Sequence, residues 1–233
     1  RLKPDFIQPT QPEISEEALD FVIGVASNFS ADKINSIKTL QRSIIREEMG
    51  KDPDNLDILR TIIGNGMACG IVHATNYYAD QLPEQTFMYI FDYKAKKMAL
   101  PHWVRPTHAG DWTLIFERYC VNNVCRDPEE HKIQTRFLKT WVNFAESGDP
   151  NVDAKGEREE NEWRSVGNGS QRIHLVIDDK EVWRHQDNFQ KKSCDLLVCL
   201  GWSESLPYKQ EVCEEYSEII KYIEAQIPKK EEL

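Results

Sequence analysis

A short segment that is apolar on both faces constrains the fold of this chain most. Residues 86–93 read TFMYIFDY, with large apolar side chains at five consecutive positions: Phe87, Met88, Tyr89, Ile90 and Phe91. Successive residues of a strand point to opposite faces of a sheet, so both faces of this strand must be covered. A strand of this kind is typical of a sheet with helices packed on it, which predicts the α/β class.

Helical segments lie on both sides of this strand in the sequence. Apolar residues recur at helical spacing over five ranges: 15–25, 30–50, 56–78, 127–148 and 208–227. Ser30 is a candidate N-cap for the second of these helices, and Gly50 is expected to end it. Asp127 is a candidate N-cap for the fourth, with Pro128 at the first helical position, and Gly148 is expected to end that helix.

A second strand is predicted at Arg172–Asp178, which reads RIHLVID. The alternation places Ile173, Leu175 and Ile177 toward the core, and His174 on the opposite face, where it is either a structural or an exposed residue. Two or three strands are too few for a complete sheet. We therefore expect helices flanking a central sheet of which this chain supplies only a part.

The composition argues against several classes of function. The net charge of −10 does not favour a general binder of nucleic acid or anionic membranes, which needs a basic surface. No run of about 18 apolar residues is present, so we expect no membrane span. The sequence has no C-x-x-C pair and no histidine cluster beside its cysteines, so neither a metal nor a cofactor is expected.

The cysteines and two glycosylation motifs favour an oxidising compartment. The six cysteines are Cys69, Cys120, Cys125, Cys194, Cys199 and Cys213. Cys120 and Cys125 bracket a short loop that a disulfide could close, or they are two reduced thiols in a turn. Asn28 and Asn168 each begin an N-x-S acceptor motif for glycosylation.

One histidine lies where α/β proteins often carry chemistry. His108 is in the loop Leu100–Phe116, directly after the first predicted strand, and Asp111 follows three residues later. A loop histidine beside tryptophans is commonly just packed or solvated. In a larger α/β sheet, a loop after one of the last strands, with a carboxylate nearby, is also a place where a histidine acts as a general base. The residues alone leave both interpretations open.

Several motifs resemble those of type-B carboxylesterases and cholinesterases. Residues 141–151 read WVNFAESGDPN, similar to the family signature W-x-x-F-A-x-x-G-x-P-N, and Trp163 follows where the family has a W-P pair. His108–Phe116 resembles H-G-x-E-x-x-x-x-F, whose histidine is catalytic. Gly64–His73 resembles an earlier family helix, and the segment from Cys199 to Pro207 resembles a terminal C-x-x-W segment. The resemblance covers roughly residues 55–207, in the family's order.

The resemblance implies an α/β-hydrolase fold, with a mostly parallel central sheet flanked by helices. His108 would take the proton of an attacking serine and return it to the leaving alcohol. Asp111 stands where the family has Glu, and we interpret it as a supporting carboxylate of the loop. Ala109 replaces the family's Gly and Asn65 replaces an Asp. These departures leave the substrate class open.

Three disulfides are also implied by the resemblance. Cys69 would pair with Cys199 and close a long loop, and Cys120 would pair with Cys125. Cys194 and Cys213 remain as a possible third pair.

The resemblance also implies that part of the enzyme lies outside this chain. A nucleophile elbow G-x-S-x-G is absent from the sequence, and in this family the serine and the acid precede the histidine. We therefore expect residues 1–233 to be the C-terminal portion of one hydrolase domain, inactive alone and completed by the remainder of the parent chain. Its substrates would be small uncharged carboxylic esters. The rival hypothesis is a relative that has lost the triad and serves in adhesion or as a scaffold.

The last residues, 228–233, are predicted to form a separate tail. Lys230–Leu233 reads KEEL and resembles the K-D-E-L type of retention signal. Together with the glycosylation motifs, this favours the lumen of the endoplasmic reticulum over secretion.

Overall fold

The computed structural model of the chain describes residues 10–27, 30–94, 101, 103–104, 106, 108–116, 128–158, 162–169, 171–178, 183–201 and 209–225. Within these ranges the helices are α1 (Glu16–Ser27), α2 (Ala31–Met49), α3 (Asn55–Gln81), α4 (Gly110–Ile115), α5 (Pro128–Ser147), α6 (Lys191–Cys199), α7 (Lys209–Glu215) and α8 (Ser217–Ala225). The strands are β1 (Tyr89–Phe91), β2 (Ile173–Ile177) and β3 (Arg184–Asp187).

The chain divides into two compact units. The helical unit comprises the described parts of Pro12–Ala74 and Gln190–Leu233, and the sheet unit comprises the described parts of Thr75–Phe189 and Arg1–Gln11.

The predicted ends of α2 and α5 at Gly50 and Gly148 are confirmed, and α5 begins at Pro128 as predicted, while its candidate cap Asp127 lies outside the described residues. Ser30 occupies the N-cap position of α2 without a hydrogen bond from its side chain to the helix. Ser30 precedes α2 with an extended backbone, and Gly50 ends α2 in the left-handed conformation at φ 65°, donating its N–H to the Arg46 carbonyl. Gly148 follows α5 with φ 78°. Glycine takes this conformation without the steric cost that a Cβ imposes, so it ends both helices.

The single C-terminal helix predicted over 208–227 is divided into α7 and α8 at Tyr216. The Tyr216 side chain is buried with Leu40, Ile44 and Leu196, while Leu200, Val212, Ile219 and Ile220 pack around this cluster. Its hydroxyl lies 3.4 Å from a carboxylate oxygen of Asp195. Anchoring this side chain in the core of the helical unit overrides the continuous helical periodicity.

The sheet has the order β1-β2-β3. β1 pairs in parallel with β2, with Tyr89 opposite Leu175, and β2 pairs antiparallel with β3, with Leu175 opposite His185. The described part of the sheet is therefore mixed. β3 reads RHQD and carries no apolar alternation, so the sequence gives no signal for it.

β2 is covered on both faces. The face opposite Leu175 is also buried, since His174 is 1% exposed and Val176 is 2% exposed. Of the two interpretations of His174, the structural one is therefore confirmed and the exposed one is wrong. As the central strand of the three, β2 has both edges paired, and side chains cover its two faces: Phe137, Trp163 and Trp183 lie with Leu175 and Ile177, and the Phe189 ring lies against that of His174. The core of the sheet unit is Phe137, Trp163, Leu175, Ile177 and Trp183, with Phe87, Tyr89, Phe91, Ile115 and Ile133 packed against it.

The predicted Cys69–Cys199 and Cys194–Cys213 pairings are wrong. The structure has Cys69–Cys194 and Cys199–Cys213 disulfides. Cys194 and Cys199 are both on α6, five residues apart, which at 3.6 residues per turn rotates their side chains by about 140°. Cys194 therefore faces α3, whereas Cys199 faces α7. The predicted Cys120–Cys125 pair lies outside the described residues, as do Asn28 and the predicted tail 228–233.

Two further predictions concern the surface and the membrane. Asn168 lies exposed in a bend, although the rest of its motif, at residue 170, is outside the described residues. Within the described ranges, no helix is both long enough and apolar enough to cross a bilayer.

Candidate functional site

His108 is exposed in a turn that directly precedes α4. The next residue, Ala109, has φ 61° and ψ 20°, the left-handed conformation that favours glycine. Gly110 begins α4 and is buried, and a Cβ built on it would lie 3.5 Å from the Phe91 ring of β1. The turn that carries His108 is therefore packed closely against the first strand.

Asp111 follows this turn, in the first turn of α4. Its Oδ2 accepts a hydrogen bond of 2.8 Å from the Tyr89 hydroxyl of β1. Its Oδ1 accepts a hydrogen bond of 2.9 Å from the backbone N–H of Trp112. Both carboxylate oxygens therefore have protein partners, one on β1 and one within α4.

The other end of α4 is held from α5. The Gln134 side chain donates from Nε2 to the Leu114 carbonyl at 2.8 Å, with the Ile115 carbonyl at 3.4 Å. The last carbonyls of a helix have no partner within the helix, and a side-chain donor satisfies them. Tyr89 and Gln134 thus fix the two ends of α4 on the sheet unit.

The Tyr89 ring is held among aromatic side chains. Its centroid lies 5.1 Å from that of Phe137, 5.8 Å from that of Trp163 and 6.2 Å from that of Trp141, all in edge-to-face geometry. Burial and the hydrogen bond to Asp111 raise the pKa of the Tyr89 hydroxyl. Tyr89 therefore remains protonated and donates to Asp111 throughout the physiological range of pH.

The 141–151 signature ties the end of α5 to β1. Asn151 donates from Nδ2 to the Trp163 carbonyl at 2.9 Å, and its Oδ1 accepts the backbone N–H of Trp163. The Trp163 indole in turn donates to the Met88 carbonyl at 3.1 Å. Asn143 donates to the Pro150 carbonyl. The signature residues thus position the strand that carries Tyr89.

The structure brings His108, Asp111 and Tyr89 into one region, and the sequence reasoning missed Tyr89 and Gln134 as supports of that region. The available signal was a hydroxyl on one side chain of an otherwise apolar strand, because a buried tyrosine hydroxyl needs a partner. Over the residues described, no group of three histidine, cysteine, aspartate or glutamate side chains is arranged to hold a metal ion.

The fold is that of the α/β-hydrolases. The structure is similar to the crystal structure of a carboxylesterase from Geobacillus stearothermophilus, with a TM-score of 0.53 over 77% of this chain and 34% of that chain, at 18% sequence identity. The sequence profile of the carboxylesterase family matches residues 20–197. The chain therefore belongs to the carboxylesterase family.

Curated relatives match over part of their length. The chain is 23% identical to acetylcholinesterase of Danio rerio over 133 residues, which is 57% of this chain and 20% of that protein. It is 26% identical to acetylcholinesterase of Bungarus fasciatus over 152 residues, 63% of this chain and 24% of that protein. It is 23% identical to bile salt-activated lipase of Mus musculus over 114 residues, 47% of this chain and 19% of that protein. The chain thus spans about a fifth to a quarter of these relatives.

Proposed function

We propose that this chain is the C-terminal portion of a serine carboxylesterase, and that His108 is its general base and acid. The observation that carries the proposal is the exposed His108 on a turn that Tyr89, through Asp111, ties to β1. Membership of the carboxylesterase family supports the reaction class. The substrates we propose are small uncharged carboxylic esters.

The proposed reaction uses His108 twice. The imidazole accepts the proton of a serine hydroxyl as the serine oxygen attacks the ester carbonyl carbon. The tetrahedral intermediate then breaks its bond to the alkoxy oxygen, which leaves as an alcohol with the proton from His108. Water attacks the acyl-serine in the second half, His108 accepts its proton, and the regenerated serine takes that proton as the acid leaves.

We infer that the serine, the acid and the oxyanion hole come from the remainder of the parent chain. One structural feature supports this inference. α3 carries an outward apolar row formed by Ile63, Met67 and Ile71, with exposed fractions of 49%, 51% and 61%, while Ile62 and Val72 are buried on its other side. A helix that is apolar all round is typical of the interior of a larger protein.

The chain alone is then expected to be inactive, and the full-length protein, meaning this chain with that remainder, is the enzyme. Fluorophosphonate labelling of the full-length protein tests this. The wild type should be labelled, and His108→Ala should lose labelling by a factor of about 100 or more, because general base catalysis contributes roughly that much. His131→Gln, which keeps a polar side chain beside Gln134 at an exposed position of α5, is the matched control.

The labelling result also separates the two hypotheses. Added imidazole should restore part of the labelling of His108→Ala, since it supplies the missing base. A folded wild-type protein that takes up no fluorophosphonate would contradict the proposal and favour the adhesion or scaffold hypothesis.

We further propose that the protein resides in the lumen of the endoplasmic reticulum, with secretion as the alternative. The two disulfides and the exposed Asn168 support an oxidising, glycosylating compartment. Removing the KEEL residues 230–233 should move the protein from cells to the medium. Asn168→Gln should increase electrophoretic mobility by one glycan, an effect that glycosidase treatment of the wild type reproduces.

A further inference from the structure

Tyr89 differs from its neighbours on β1 in having a polar group that leaves the aromatic core. Its ring is fixed by Phe137, Trp141 and Trp163, and β1 is in register with β2 through Tyr89 and Leu175. The hydroxyl at the end of this fixed ring donates to Asp111 at 2.8 Å. The Asp111 carboxylate is therefore held in place by a side chain of the sheet.

Asp111 lies in the first turn of α4, directly after the turn that carries His108. It lies three residues after His108, and its second oxygen accepts the N–H of Trp112 in the first turn of α4. Ala109, between them, is in a left-handed conformation that an L-residue adopts only under constraint. Without the Tyr89 hydroxyl, Asp111 would lose the contact that ties it to β1.

We propose that Tyr89 is a positioning residue for His108, acting through Asp111 to hold the imidazole where the serine must meet it. The inference rests on the proposed function and adds a residue to it. Tyr89 does not touch the reacting atoms. Its role is to preserve the distance between the His108 imidazole and the serine hydroxyl, on which proton transfer depends. A displacement of about 1 Å at a reacting centre costs up to about 100-fold in rate.

The matched substitution is Tyr89→Phe in the full-length protein, because it removes only the hydroxyl. Tyr93→Phe is the control: Tyr93 is buried in the same unit, and its hydroxyl donates to Glu130 at 3.1 Å, so this variant also loses one buried hydrogen bond. We expect Tyr89→Phe to lower kcat for a small ester about 10- to 100-fold with little change in KM, and Tyr93→Phe to leave both near the wild-type values.

Variants of Asp111, alone and combined with Tyr89→Phe, give a second test. Asp111→Ala should lose at least as much kcat as Tyr89→Phe, because it breaks the hydrogen bond to Tyr89 and also the one to the Trp112 N–H. The double variant should lose no more than Asp111→Ala, because the Tyr89 hydroxyl then has no Asp111 carboxylate to hold. Asp111→Asn keeps an oxygen that can accept from Tyr89, so it should recover part of the kcat lost in Asp111→Ala. Additive losses would show that the two residues act separately and would overturn the inference.

Hydrogen–deuterium exchange gives a readout that does not depend on activity. Peptides covering 108–116 should exchange faster in Tyr89→Phe and Asp111→Ala than in the wild type or in Tyr93→Phe. Unchanged exchange in Tyr89→Phe would overturn the inference whether or not the protein is active. Suppose that Tyr89→Phe exchanges faster but keeps the wild-type kcat, while His108→Ala is inactive. Tyr89 would then order the turn without affecting catalysis, and only the catalytic part of the inference would be overturned. An inactive wild type would overturn the proposed function and with it the catalytic part of the inference, while the exchange rates would still decide whether Tyr89 orders the turn.

Discussion

Ala109 occupies a backbone conformation that suits glycine better. Its φ of 61° brings the Cβ close to the carbonyl oxygen, which costs an L-residue about 1–2 kcal/mol. The conformation of the turn thus explains why the H-G-x-E motif has glycine at this position. Alanine at position 109 adds backbone strain to the turn.

Ala109→Gly is therefore expected to stabilise the full-length protein. Relief of the left-handed strain exceeds the added entropy of the unfolded chain by about 0.5–1 kcal/mol. The measurement is the free energy of unfolding from urea titration. Ala145→Gly, an alanine within α5, is the control and should destabilise by a similar amount, because glycine is a poor helix former. A loss of stability in Ala109→Gly would contradict this explanation.

The buried histidines make stability depend on pH. Burial lowers the pKa of His174 and of His73, so both are neutral in the folded protein. The unfolded chain takes up these protons near pH 6.5, whereas the folded chain does so only at lower pH. The unfolding free energy should therefore fall as pH drops below about 6.5, by up to about 1.4 kcal/mol per pH unit for each histidine.

His174→Gln tests the contribution of one of them. Between pH 6.5 and the lower pKa of the folded state, the dependence of the urea midpoint on pH should be shallower than in the wild type. Comparison at pH 8, where both histidines are neutral in either state, separates this effect from lost packing against Phe189. Equal slopes below pH 6.5 would contradict the assignment.

At the scale of elements, helix α5 contributes the largest of the fully buried side chains described in the sheet unit. Phe137 is fully buried, and Phe137→Ala should cost about 3–5 kcal/mol through lost burial and a cavity. Phe144 lies on the same helix but is 47% exposed, so Phe144→Ala should cost about 1 kcal/mol or less. Thermal unfolding of both variants checks this, and equal costs would show that the exposed face of α5 is covered in the full-length protein.

Elements with their own periodicity could be predicted from the sequence, and elements placed by their neighbours could not. Helices α2 and α5 carry an apolar face and residues that end them, and β1 carries apolar residues on both faces. β3 has four polar residues and exists because it pairs with β2. α4 lies inside the predicted loop around His108, since its six residues are stabilised by Tyr89 and Gln134 from other elements.

The candidate site was predictable in its residues but only partly in its contacts. His108 and Asp111 were identified from the motif. The hydrogen bond from the Tyr89 hydroxyl to Asp111 could not be predicted, because it depends on how β1 packs against the turn. The predicted disulfide pairs were wrong for a similar reason. Cys194 and Cys199 are close in sequence, and their pairing depends on which side of α6 each one faces.

At the scale of the whole molecule, the two disulfides should differ in their effect on stability. Cys69–Cys194 spans 125 residues and Cys199–Cys213 spans 14. In the chain-entropy model, the first stabilises by about 5 kcal/mol and the second by about 3 kcal/mol. Replacing each pair by alanines and measuring urea unfolding should show this order, with non-reducing peptide mapping of the wild type to verify the pairs. A larger loss for the shorter loop would contradict the model.

The outward row of α3 allows a test of the assembly with the remainder of the parent chain. Ile71→Lys should lower the melting temperature of the full-length protein, because a covered apolar position cannot accept an unpaired charge. Gln81→Lys, at an exposed polar position of the same helix, should have little effect. If Ile71→Lys were equally harmless, the row would face solvent in the complete protein.

The Cys69–Cys194 bond also determines how the chain matures during synthesis. Cys69 is made 125 residues before its partner, a delay of roughly 6–25 s at 5–20 residues per second. Cys120 and Cys125 emerge during this interval, so any bond that Cys69 forms with them must later be exchanged. Helices form in microseconds, whereas disulfide reshuffling takes seconds to hours. In a molecule where such a bond has formed, thiol–disulfide exchange is slower than formation of secondary structure and limits the rate at which that molecule becomes native.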